Sequence, residues 1–480
     1  MQTFISKYAL AAHIAFLAAS PLFLFPWLGE TEMASVILWL SFIGAAWYFL
    51  EPSRRNDEMM HDARSRVVRS LLKDPLFWAF AVLATLGAIR IFNDGVALTY
   101  DAAVGKWSLN DVAVSFLPAC VRGGGRLEFA IVVALATVTE TCRHALGKSA
   151  RTSFMSFLVV FAGIAAIVAS AACFFGWGKA PLMAECQLAT SSYVGAAFGI
   201  CLLVGMAALV GAFEKGWSNF LLLYSFAIGA CATGLYFFAP VYVIFIYLIA
   251  FLVMFVVGVS YAGIVCDRTV AFKTVAAVIM AALVPAICCM WLTPKTVEAA
   301  RLAPFTDENF ALFSQNYWKT REICSAVAAK VWNASPWLGS GLGSFGLDVN
   351  FNAAPGDWAV LPPAQSCAVN GWWHLLAERG LVGAISYAIV LIILAVTFVS
   401  RVVKSSLYYS FLPAGALALI SLAAVVAQTF FDVTVFRADV ALSLFAVLSL
   451  GASSFVRAPA GYEPRTKRHG KTSASERYGR

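Results

Sequence analysis

An all-α, polytopic membrane fold follows from three features of this sequence: its apolar content, the length of its apolar runs and the distribution of its basic residues. Of 480 residues, 61% are hydrophobic and 12% are charged, whereas soluble domains are about half apolar and about a quarter charged. So much apolar surface has no place in a water-soluble core, and lipid is the expected solvent for most of the chain. A helix needs about 20 mostly apolar residues to cross a bilayer. In lipid the backbone must satisfy its own hydrogen bonds, which leaves helices or closed barrels. The apolar runs are long and do not alternate with polar residues, so they predict helices rather than barrel strands.

Twelve spans are expected, near 8–29, 34–50, 76–93, 127–142, 153–174, 193–212, 220–238, 240–262, 273–293, 381–400, 409–431 and 438–456. The seventh and eighth are separated only by Ala239-Pro240 and read either as a tight hairpin or as one broken helix. The chain then divides into spans 1–9 (residues 1–293), a long loop (294–380), spans 10–12 (381–456) and a basic tail (457–480).

Charge sets the orientation. With the N-terminus inside, the alternate segments 1–7, 51–75, 143–152, 213–219, 262–273, 401–408 and 457–480 carry 22 of the 34 Lys and Arg residues. The 87-residue loop 294–380 carries six. The positive-inside rule therefore predicts cytoplasmic termini and an extracytoplasmic long loop. The tail, with Arg465, Lys467, Arg468, Lys471, Arg477 and Arg480, reads as an anchor against anionic membrane lipid. The net charge of +8 is accounted for by this bias, without a nucleic-acid signature.

Three outer segments are expected, at 94–126, 175–192 and 294–380. The last carries Trp318, Trp332, Trp337, Trp358, Trp372 and Trp373. Aromatics at this density fit either a membrane-interface platform or a sugar-stacking surface. Within the loop, 311–331 reads as helix and contains Arg321. It is broken by Ser335-Pro-Trp-Leu-Gly-Ser-Gly-Leu-Gly-Ser-Phe-Gly346, in which Gly341 and Gly343 either offer backbone amides to an anion or form a flexible turn. The loop closes on Asn370-Gly-Trp-Trp-His-Leu-Leu-Ala-Glu-Arg-Gly380, where a helix would stack Asn370, His374 and Glu378 on one face. Eleven cysteines show no CxxC pattern; Cys324 and Cys367 would both lie outside, where a disulfide is permitted.

These motifs resemble the signature of the O-antigen ligase and O-antigen polymerase superfamily of membrane glycosyltransferases. Pro336-Trp-Leu-Gly-Ser-Gly-Leu-Gly-Ser-Phe345 is similar to that family's HPLLGVGLGNF. His374-Leu-Leu-Ala-Glu-Arg-Gly-Leu-Val-Gly383 is similar to the QLLAELGLIG that leads into a span, and Arg321 falls where the family's loop arginine sits. The likeness is strongest over 317–400 and extends loosely to Asp432-Val-Thr-Val-Phe-Arg437. Two positions depart from it. Val369 stands where the family usually has histidine, and His374 lies five residues later, where Gln is common. The stretch Phe237-Phe-Ala-Pro-Val241 lacks the family's second arginine.

The resemblance implies a GT-C-like, inverting and metal-independent transfer at the outer face of a bacterial inner membrane. The donor would be an undecaprenyl-diphosphate-linked glycan, and the acceptor a hydroxyl on lipid A core, a glycan or a protein. No cofactor is implied. Such a site needs cations for the diphosphate leaving group and a base near the acceptor hydroxyl. Arg321, with a planar fork suited to phosphate, fits the first need. Arg379 and Arg437 are either further phosphate contacts or interfacial anchors. Arg90, inside the third span, either contacts lipid phosphate or pairs with an acidic residue. His374 is the one histidine in an outer loop and therefore the candidate base; otherwise it is a structural partner of Glu378. Glu378 would orient that ring or cap the loop, Asp432 would support the site or end its span, and Asn370 would bond a sugar or cap the helix. The competing class is a glycan or lipid transporter or flippase, which would place paired charges near mid-membrane.

Overall fold

The computed structural model describes residues 2–28, 30–50, 68–69, 71–93, 97–101, 106–110, 124–146, 148–175, 192–214, 221–239, 241–263, 268–292, 307–341, 343–359, 361, 368, 370–404, 412–429 and 438–454. Each of the twelve apolar segments falls on a helix. These are α1 (Gln2–Leu24), α2 (Glu30–Leu50), α3 (Pro75–Arg90), α4 (Gly124–Glu140), α5 (Lys148–Phe175), α6 (Ser192–Glu214), α7 (Leu221–Phe238), α8 (Val241–Tyr261) and α9 (Arg268–Leu292). The long loop supplies α10 (Asp307–Ala334) and α11 (Phe345–Asn352). The chain then continues through α12 (Gly371–Lys404), α13 (Leu412–Thr429) and α14 (Ala438–Ser454).

Five of these are long and apolar enough to cross a membrane, over Ser153–Ala172, Val194–Ala212, Leu221–Phe238, Tyr242–Tyr261 and Gly371–Val396. Their outward faces are apolar: Phe245, Leu252 and Val256 on α8 and Ile385, Ile389, Ile392 and Val396 on α12 are all exposed. On α12 these residues recur at helical spacing, which makes a continuous stripe facing away from the bundle. Apolar patches of that kind require a lipid or protein cover.

Sequence and packing together explain individual elements. Asp74 caps α3 by accepting from the Leu76 N–H at 3.0 Å, with Pro75 in the first turn where no donor is needed. α4 carries Glu128 and Glu140, and nearly all of it is buried between α2, α3 and α14. α6 is the central helix, packed by α5, α7, α8, α13 and α14. The break at Ala239 separates two helices with different neighbours: α7 packs on α5, α6 and α9, whereas α8 packs on α6 and α13. Gly195 of α6 lets Ala239 approach within the reach of a Cβ, which fixes the break against the bundle centre.

One addition to the all-helical expectation lies in the segment 94–126. Strands β1 (Ala97–Asp101) and β2 (Lys106–Asn110) form an antiparallel hairpin in the register Ala97↔Asn110 to Asp101↔Lys106. Thr99, Tyr100 and Trp107 supply the β-branched and aromatic residues that favour a strand.

The bundle encloses one large apolar core, and the long loop has its own. Cys324, Val327, Ala328 and Val331 on α10 meet Phe345 and Val349 on α11, with Leu361, Ala368 and Ala377. The loop is therefore a folded unit sitting on the start of α12, as its aromatic content predicts. Cys324 is wholly buried there, and Cys367 lies outside the described residues.

Candidate functional site

Gly380 breaks α12 with φ 62° and ψ −169°, a conformation that only glycine adopts readily. The break frees carbonyls before it and amides after it, and the glycine-rich turn takes up both sets. Ser340 N–H donates to Ala377 O (2.8 Å) and Gly341 N–H to Glu378 O (3.0 Å). In the opposite sense, Leu381 N–H donates to Pro336 O (2.8 Å) and Val382 N–H to Trp337 O (3.1 Å). The two backbones touch so closely that a Cβ at Gly339 would overlap Glu378 and Arg379, and one at Gly380 would overlap Trp337 and Gly339. Glycine at these two positions is thus required by contact between the loop and the broken helix.

Of the expected one-face stack, His374 and Glu378 meet on the first turns of α12, while Asn370 lies just before the helix. The Asn370 side chain accepts from Trp372 N–H (3.0 Å) and Trp373 N–H (3.4 Å), so it serves as the helix cap. Nε2 of His374 lies 3.3 Å from Glu378 Oε2, and the imidazole packs edge-on against Phe345. Its Nδ1 accepts a long 3.5 Å bond from Ala368 N–H. The other Glu378 oxygen accepts from Phe345 N–H (3.2 Å), and the Gly343 amide also faces this carboxylate. The turn does cradle an anion with its amides, and that anion is Glu378. The amides of Gly341 and Gly343 are both engaged within the protein.

Beside this carboxylate stands a second acidic group. Asp348 accepts hydroxyl bonds from Ser340 (2.7 Å) and Ser344 (3.1 Å). Burial pushes its carboxyl above the usual range and Glu378 adds to that; the two hydroxyls and His374 pull it back.

The arginines fall into different settings. Arg90, at the end of α3, is 3% exposed and donates to Glu128 Oε2 of α4 (2.8 Å), to Leu338 O (2.9 Å) and to Arg379 O (3.4 Å). Arg379, also buried, lies 3.2 Å from Glu128 Oε1, and its guanidinium stands 4.5 Å from the centre of the Tyr387 ring. Of the two sequence readings of Arg90, the acidic partner is the one present. Arg321 is half-buried on α10, with its guanidinium over Trp318 at 5.2 Å. Asp432 and Arg437 lie outside the described residues, as does Val369. Among the described residues, no three His, Cys, Asp or Glu side chains converge as a metal ligand set.

One network therefore joins Arg90, Gly341, Gly343, Asn370, His374, Glu378 and Arg379, while Arg321 stands on a neighbouring helix that packs against α12. Sequence reading does not single out Glu128, Ser340, Ser344 or Asp348. Glu128 had a usable signal, a charge inside an apolar run, of the same kind that marks Arg90. Chemically, a histidine held by a carboxylate that is itself fixed by backbone amides is an oriented base. Neither the protein-family models nor the curated proteins contain a match to this chain.

Proposed function

We propose that this protein is a membrane glycosyltransferase of the O-antigen ligase and polymerase type. It would move an undecaprenyl-diphosphate-linked glycan onto a hydroxyl of lipid A core, a growing glycan or a protein, at the outer face of a bacterial inner membrane. The observation that carries this reading is the union of the two motifs into one closed unit, with a carboxylate-held histidine at its edge. His374 is partly accessible, its side chain being 12% exposed.

In this reading the acceptor oxygen bonds to the anomeric carbon from the face opposite the diphosphate, with inversion. The bond from that carbon to the diphosphate oxygen breaks, and the leaving group keeps the electron pair. The acceptor proton passes to His374. Nε2 faces Glu378, so Nδ1 is the atom that receives it, by giving up its long bond from Ala368. Arg321 neutralises the diphosphate through its planar fork. Glu378 acts by orienting the ring.

Twelve spans with both termini cytoplasmic supply the scaffold. The transporter alternative is less well supported, because the freed groups at the helix break are bonded to the glycine-rich turn or to Arg90 and offer no open ion site. A deletion in the native host, profiled by surface-glycan gel, tests the reading. Unligated or single-repeat glycan is expected, and an unchanged profile would overturn it. Transfer is expected to persist with chelator; loss that magnesium or manganese restores would refute the metal-independent mechanism.

A further inference from the structure

Three charged side chains, Arg90, Glu128 and Arg379, meet beneath the glycine-rich turn, each 3% exposed. Two guanidiniums share one carboxylate: Arg90 holds Oε2 at 2.8 Å and Arg379 holds Oε1 at 3.2 Å. Buried ion pairs contribute little net stability, because desolvation offsets attraction, but they fix register when their remaining donors are satisfied. Arg90 has that property, since its second nitrogen reaches the carbonyls of Leu338 in the turn and of Arg379 just before the helix break. The approach is built in from the α4 side as well. A Cβ at Gly125 would stand 3.0 Å from the Arg90 carbonyl carbon, so glycine there lets the first turn of α4 lie against the end of α3. Glu128 is one turn further on. The remaining positive charge faces Glu378, which interacts electrostatically with Arg379.

We infer that Glu128 is the positioning residue of the outer site: through Arg90 and Arg379 it fastens the glycine-rich turn and the His374–Glu378 segment to the α3–α4 pair. The catalytic part of this statement rests on the reading of His374 as the base; the fastening does not. Without Glu128 two buried guanidiniums repel, and Arg90 leaves the carbonyls of Leu338 and Arg379.

The test uses the full chain in lipid nanodiscs, with backbone hydrogen exchange followed over 336–341 and 377–383. Glu128→Gln is expected to raise exchange at Ser340, Gly341, Leu381 and Val382 by about tenfold or more, the scale of a lost charged hydrogen bond, with α6 and α7 unchanged. Glu128→Asp should give an intermediate effect. Arg90→Lys keeps the charge but not the fork, so it should loosen 336–341 even if Glu128→Gln fails to insert. Unchanged exchange in the inserted variants, or a rise spread evenly over the bundle, overturns the inference. A glycan-transfer assay then separates the two claims. Active wild type should give Glu128→Gln with lower kcat, an unchanged donor KM and partial recovery in Glu128→Asp. Inactive wild type with local loosening leaves the fastening standing and removes the enzyme reading alone.

Discussion

His374 sits between a carboxylate on one nitrogen and a long amide contact on the other, and its consequences are readable one residue at a time. His374→Ala should lower transfer on the order of 100-fold or more, the usual scale for a general base. His374→Gln separates base from spacer, since glutamine fills the site without taking a proton; full activity in that variant would remove His374 from the chemistry. Arg321→Ala should lose most transfer while still inserting, and Arg321→Lys should recover only part, because a point charge does not replace bidentate contact. Both are measured by surface-glycan gel and by transfer to a purified acceptor. Asp348 gives a prediction in pH. Burial raises its carboxyl above the unfolded value, so the folded state favours the protonated form. The associated stability is complete below the unfolded value and is lost as pH rises through the raised one. Asp348→Asn does not ionise, so it should melt above the native protein at neutral pH, with the difference shrinking towards pH of about 4, near the ordinary Asp value. Thermal unfolding in detergent at several pH values measures this, and equal melting curves at every pH would contradict it.

At the scale of elements, the broken helix α12 and the turn before α11 are one structure made from two distant segments. Gly380→Ala places a side chain in a glycine-only conformation and against the Trp337 carbonyl. It should cost about 3 kcal/mol or more. Gly356, with open space around its missing Cβ, is the control and should tolerate alanine with little change. Comparing the two melting temperatures decides whether the glycine is required by the splice. Phe345 links the same region to the loop core, where it is wholly buried against α10. Phe345→Ala should cost about 3–5 kcal/mol, the range for emptying an aromatic site, and should loosen α10 and α11 before the bundle.

At the scale of the molecule, the apolar outward faces of α8 and α12 and the separate core that runs from Cys324 to Ala377 divide the described residues into a bundle and a smaller loop unit. The orientation drawn from basic residues predicts that 294–380 lie outside the cell membrane and 465–480 inside. A cysteine placed at Gly356 should react with an impermeant maleimide in intact cells, and one placed at Ser473 should react only after lysis. The reverse pattern would invert the topology.

The sequence alone located the apolar helices among the described residues, because hydropathy and length are local properties of consecutive residues. It also brought His374 and Glu378 onto one face, since helical periodicity needs no partner, whereas Asn370 falls just before the helix and caps it. It marked the glycine-rich turn, as either a set of amides offered to an anion or a flexible turn. Only the tertiary structure revealed that Gly339 and Gly380 press two backbones together and that Glu378 is the cradled anion. Arg90 likewise announced itself as a charge in an apolar run, while its partner depended on packing. Glu128 is 38 residues away in the chain, and Leu338 and Arg379 are 248 and 289 away. Pairings at such separation are decided by which helices lie side by side, a matter of three-dimensional packing that residue order does not encode locally.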